Sequence, residues 1–174
     1  MSVDIATSLK TGAGVLRSTI SLIRANVIES KKSRENPRVS SLAARIVSLL
    51  EKLAEILELT SQRVGPASSG IAQLAPYTYV FQVDEKEVVV MRIKPEHTVV
   101  SVNIAEKAVS IKLRKGVFEV SPSSLKIKTR GVNVTLNPAD WDHYREKLNE
   151  VKNALKIFEA FIIRRLSLLP KLKG

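Results

Sequence analysis

The sequence predicts an α+β protein: an N-terminal helical hairpin, an antiparallel β-meander and a long C-terminal helix. Two changes of pattern carry that reading. Apolar residues recur at alternating steps of three and four near both ends of the chain, whereas from Tyr77 the apolar period drops to two. A Gly/Pro/Ser-rich stretch separates the two regimes at residues 63–76. With 174 residues, 44% of them hydrophobic and 26% charged, the chain is long enough to build one substantial core.

The elements follow in order. Leu9, Ala13, Leu16, Ile20, Ile23 and Val27 mark one helical seam, and Val39, Leu42, Ile46, Leu49, Leu53 and Ile56 mark a second. Between them Lys31-Lys32-Ser33-Arg34-Glu35-Asn36-Pro37 is polar, and its proline blocks continuation, so residues 1–62 read as an antiparallel hairpin. Gly12 and Gly14 weaken the first helix near its start, where fraying or a kink is expected. Residues 63–76 read as a linker; they lack the Gly-Lys-Ser/Thr ending of a phosphate loop. Strands are expected at 77–83, 86–94, 98–104, 107–115, 117–121, 124–129 and 131–137, with turn residues between them. Asn137 is a suitable N-cap and Pro138 a suitable first residue for a helix whose seam runs from Trp141 through Tyr144, Leu148, Val151, Leu155, Phe158 and Ile162 to Leu166. Trp141 is expected to close the core. Residues 77–174 therefore form one sheet-plus-helix unit, and Leu148, Val151, Leu155, Phe158 and Ile162 are the expected homodimer seam.

The chain carries 28 Lys+Arg against 17 Asp+Glu, a net charge of +11, which favours phosphate-rich partners. The excess is spread along the chain, but between Lys107 and Arg130 seven basic residues meet one acidic residue, Glu119. Period two sorts them. Val109, Ile111 and Leu113 point one way, with Ser110, Lys112 and Arg114 opposite; Leu125 and Ile127 point inward, with Lys126, Lys128 and Arg130 opposite. One aliphatic face and one basic face make a surface that can track a nucleic-acid backbone. Aromatic platforms for base stacking are few. Phe118 is the candidate near the lysines, while Tyr77, Tyr79 and Phe81 alternate as core residues do.

The same residues exclude much. Without cysteine there are no disulfides, thiolate metal sites or cysteine nucleophiles. His97 and His143 have no third ligand or nucleophile beside them, and the carboxylates are scattered, so neither a metal, a cofactor nor catalysis is expected. Met1-Ser2-Val3-Asp4-Ile5 does not lead into an apolar run, and no apolar stretch approaches the ~20 residues of a membrane span, so a cytoplasmic protein is expected. A cysteine-free chain rich in Val, Ile, Leu, Lys and Arg suits a thermophile.

One stretch is recognisable. Val100-Ser101-Val102, Lys107 to Arg114, and Arg130-Gly131-Val132-Asn133-Val134-Thr135-Leu136-Asn137-Pro138-Ala139-Asp140-Trp141 together resemble the positive cofactor four family of transcriptional coactivators, over about residues 98–158. The resemblance implies a four-stranded sheet followed by a dimerising helix, with single-stranded DNA bound across the sheet. It places family contacts on Arg114 and Arg130 and a stacking aromatic near Val117 or Phe118; two further contact positions fall on Asn103 and Ala105, which depart from the family pattern. More loosely, the layout of helices, sheet and leucine-rich helix is similar to that of the archaeal ThermoDBP-like single-stranded-DNA-binding proteins. The expectation is therefore a single-stranded DNA or RNA binder of low sequence specificity, using Lys112, Arg114, Lys115, Phe118, Lys126, Lys128 and Arg130. The alternative is a homo-oligomeric assembly protein whose coiled-coil-like seams are the working surface.

Overall fold

The computed structural model describes residues 5–29, 36–64, 71–75, 78–82, 87–93, 98–141 and 147–164, with Val80 as the one side chain described between 71 and 98. The order of elements is α1 (Ile5–Ile23), α2 (Pro37–Val64), eight strands, and α3 (Leu148–Arg164). The strands are β1 (Ile71–Ala75), β2 (Thr78–Gln82), β3 (Glu87–Ile93), β4 (Thr98–Asn103), β5 (Ala108–Leu113), β6 (Gly116–Ser121), β7 (Ser124–Thr129) and β8 (Val132–Leu136). They form one antiparallel sheet in sequence order, so every neighbour in space is a neighbour along the chain.

Both N-terminal seams are buried as their spacing predicts. α1 ends in a π-helical turn, Arg24–Ile28, in which the Glu29 N–H donates to the Arg24 carbonyl at 2.8 Å. The wider turn keeps Val27 in the core after Ile23. Pro37 takes the first position of α2, where its missing N–H costs nothing, and the Asn36 Oδ1 accepts the Val39 N–H at 3.3 Å. Ion pairs Arg17–Glu58 and Arg24–Glu51 tie α1 to α2 with the two chains antiparallel. Both pairs are about half exposed, and each contributes no more than about 1 kcal/mol.

The layers differ from the expected hairpin-plus-sheet division. α1 packs against α2 and also against β2 to β6; α3 covers β7 and β8 and touches α2. One continuous hydrophobic core runs through hairpin, sheet and α3. The reason is visible in α1, whose buried band, with Ile5, Leu9, Val15, Leu16 and Ile20, is wider than the roughly 100° stripe of a helix packed on one partner, so it meets partners on two sides. Gly12 lies where they converge. A Cβ there would fall 2.8 Å from Val102 Cγ2 of the sheet and 3.3 Å from Leu57 Cδ1 of α2. Gly12 is thus a point of close layer approach rather than a site of fraying. Gly14, two residues on, faces open space.

Three other expectations shift. The linker 63–76 is shorter than expected, because α2 continues through Val64 and Ile71–Ala75 forms β1. The strand was hidden by its small, Ala-rich sequence and the flanking Gly and Pro residues. The C-terminal helix is short, 17 residues from Leu148 to Arg164, and does not start at Asn137. Asn137 instead closes a turn: its Oδ1 accepts the Ala139 N–H at 2.9 Å, and its carbonyl accepts the Asp140 N–H at 3.1 Å. Short polar side chains of this kind serve turns and helix starts equally well. Finally, Val151, Leu155, Phe158 and Ile162 are buried within the one chain, with Leu148 half-buried. The expected dimer seam is consumed by α2 and the sheet. Trp141, five residues after β8, is buried, as expected, although its Nε1 has no hydrogen-bond partner among the described residues. Tyr77, Tyr79, Phe81, His97, His143 and Tyr144 have side chains outside the described residues. Among the described residues no helix is long and apolar enough to cross a membrane.

The two glycines of α1 make opposite predictions. Gly12→Ala drives a methyl into Val102 and should destabilise by about 1–3 kcal/mol. Gly14→Ala meets nothing and should stabilise by about 0.5–1 kcal/mol through helix propensity. Urea denaturation of the two variants checks both signs.

Candidate nucleic-acid interface

Strand register assembles the basic face row by row. Val100, Ile111, Phe118, Ile127 and Val134 stand opposite one another across β4 to β8, and all are buried. This is the core face. One residue along, Val99, Lys112, Val117, Lys128 and Asn133 form the neighbouring row on the other face. Lys112, Lys128 and Asn133 are exposed, and Val99 and Val117 are half-buried. Cations and valines therefore alternate across the strands, Lys112 and Lys128 being two strands apart, about 9.6 Å.

The next row on that face is Ser101, Ser110, Glu119, Lys126 and Thr135. Ser101 and Ser110 are buried and share a hydrogen bond of 2.6 Å between their hydroxyls, which satisfies both. Glu119 stands directly across from Lys126, so that lysine's field is partly offset.

The hairpin tips sharpen the distribution. Arg114 and Lys115 form the loop between β5 and β6, and Arg130 and Gly131 the loop between β7 and β8. Gly131 has φ +93°, in the left-handed region that glycine enters without strain, and this permits the two-residue connection. Leu113, Gly116, Thr129 and Val132 form one row, so both tips lie at the same end of the sheet. Lys112 and Lys128 are one row in from them. Lys112 and Lys128, on one face, thus lie at the end of the sheet where the tips carry Arg114, Lys115 and Arg130, with Lys126 two residues behind Lys128 and all six exposed.

Among the described residues none of the six forms an ion pair, whereas Arg17, Arg24 and Arg45 of the helical layer are each held by a glutamate. Lys112 and Lys128, about 9.6 Å apart, lie slightly beyond one Debye length at physiological ionic strength, about 8 Å, so their mutual repulsion is largely screened there and their attraction for a polyanion grows as salt falls.

No family model, curated protein or solved structure matches the chain. The functional reading therefore rests on its own geometry.

That geometry corrects one expected contact. Phe118 is on the core face, 1% exposed, with its ring 5.5 Å from Phe158 and tilted by 49°. It cannot stack on a base. Its parity with Val120, and the opposite parity of Glu119, carried that information in the sequence. The apolar residue on the basic face is Val117. Of the described aromatic side chains, Phe118, Trp141, Phe158 and Phe161 are all buried, so among the described residues the face offers no stacking platform. Asn103 and Ala105, at the departing family positions, lie at the opposite end of the sheet from the two basic tips; Asn103 Oδ1 accepts the Glu106 N–H at 3.0 Å. Among the described residues no three His, Cys, Asp or Glu side chains converge to hold a metal ion.

Phe118→Ala should behave as a core truncation, costing about 3–5 kcal/mol in urea denaturation. Phe118→Leu should cost far less and leave the basic face unchanged, because the ring does not reach that face.

Proposed function

We propose that this protein binds single-stranded nucleic acid, DNA in preference to RNA, with little sequence selection and without catalysis. The observation that carries the reading is the convergence of Lys112, Arg114, Lys115, Lys128 and Arg130 on one end of the sheet, exposed and without an ion pair among the described residues. A strand laid over Val117 would place phosphates beside Lys112 and Lys128 and run out over the two tips. Affinity then comes from counterion release, with shallow valine contacts in place of stacked rings.

Duplex DNA fits this surface poorly. The major groove admits a helix or a projecting two-stranded ribbon, and here the hairpins 114–115, 122–123 and 130–131 end flush with the sheet. Preference for DNA over RNA comes from the resemblance to the positive cofactor four family. The rival reading, assembly through coiled-coil seams, lacks a surface: those seams are internal to the chain. Homodimerisation through α3 is accordingly no part of the proposal.

Fluorescence anisotropy with labelled single-stranded DNA, duplex DNA and single-stranded RNA across a salt series tests the reading. With about five phosphates neutralised, log K for the single strand should fall against log salt with a slope of about −3.5. Lys112→Glu with Lys128→Glu should abolish binding at moderate salt, and Arg130→Ala should reduce the slope by about 0.7. Failure of every single strand to bind at low salt, or wild-type affinity in the double charge reversal, sinks the proposal.

A further inference from the structure

The helical layer holds a second basic feature, remote in sequence from the first. A cleft of about 460 Å³ opens between the first turns of α2 and of α3, lined by Pro37, Arg38, Ser41, Leu42, Arg45 and, from α3, Leu148, Asn149 and Lys152. Its volume lies within the roughly 300–1,000 Å³ of small-molecule sites. Among its described lining residues three are cations and none is acidic. Arg45 is anchored by an ion pair to Glu159 of α3, both partly buried, which fixes the guanidinium in the wall of the cleft. Arg38 and Lys152 are exposed on opposite walls and have no ion-pair partner among the described residues. Ser41 and Asn149 add a hydroxyl and a carboxamide, and Pro37, Leu42 and Leu148 supply an apolar wall.

We infer that this cleft is a binding site for a small phosphomonoester of about mononucleotide size, separate from the sheet face. The cations select the ligand class. Two exposed cations carried by different helices, Arg38 and Lys152, suit a compact dianion that each can approach with a charge-assisted hydrogen bond, while Arg45, already paired with Glu159, ties the two helices together. The apolar wall suits a sugar or base rather than a bare ion. Backbone amides add little at α2, because Pro37 has no N–H and the Val39 N–H is already taken by Asn36. The side chains therefore carry the site. Arg45 and Glu159 also make α2 and α3 a single rigid wall pair, so the cleft exists before a ligand arrives.

Amide NMR titration of the full isotope-labelled chain at low ionic strength, with AMP and with adenosine as probes, tests the site. AMP should shift the amides of Ser41, Leu42 and Asn149 and saturate at millimolar concentration, and adenosine should not. Arg38→Glu with Lys152→Glu should weaken AMP at least about tenfold, while Lys112→Glu with Lys128→Glu should leave it within about twofold. Both substituted positions in the cleft are exposed, and Arg38→Ala with Lys152→Ala provides a milder pair whose unchanged spectrum elsewhere confirms folding. AMP shifts confined to the sheet, equal binding of adenosine, no saturable shift at millimolar AMP, or undiminished binding in the cleft variants would each overturn the inference. Because the sheet variants are scored separately, loss of the nucleic-acid proposal leaves this result standing, and the reverse holds too.

Discussion

The close approach at Gly12 governs how the molecule is layered. Only a residue without a side chain lets α1 meet Val102 of the sheet and Leu57 of α2 at the same level. Once α1 is wedged there, one face of β4 to β8 is committed to the core, and the rows through Ile111 and Val109 are buried. On the other face Ala108, Ser101 and Ser110 are also buried, but toward β7 and β8 that face is left to carry charge. α3 fills the remaining half of the core face, over β7 and β8, and its seam is used up in doing so. The basic surface and the absence of a free coiled-coil seam are two results of the same packing.

Charge is handled differently in the two layers. Arg17, Arg24 and Arg45 of the helices are paired with glutamates across helix boundaries, so they serve as ties and contribute little net field. Among the described residues the cations from Lys112 to Arg130 form no ion pair, although Glu119 stands across the strand from Lys126. The overall +11 is consequently a poor guide to where an anion would be attracted. Position on a face, and distance from the nearest carboxylate, decide it.

Much of this was legible in the sequence, for a physical reason. Period determines which side chains share a face, and both the helical seams and the alternation of Lys126 and Lys128 with Leu125 and Ile127 are statements about faces. Periodicity does not say what a buried face packs against. A seam such as Val151, Leu155, Phe158 and Ile162 reads identically whether its partner is another chain or another part of the same one. Phe118 lies near the lysines along the chain, but strand parity puts its ring on the opposite face. The strand Ile71–Ala75 lacks the β-branched and aromatic residues that announce a strand, and neighbours in the sheet define it instead. The cleft joins Arg38 to Lys152, residues that no local pattern connects.

The order of the strands has a consequence for how the protein comes into being. Each strand pairs with the one made just before it, so the sheet can extend stepwise as the chain is synthesised. α1 cannot keep pace. Its sheet partner Val102 follows Gly12 by about 90 residues, and at typical rates of about 5–20 residues per second this is a delay of roughly 5–20 s. Through that interval the first helix has α2 as its only cover, and the side destined for the sheet is bare. The nascent chain spends its most vulnerable moments as an oily helical hairpin, and its solubility on the ribosome depends on how soon the fourth to sixth strands arrive to receive it.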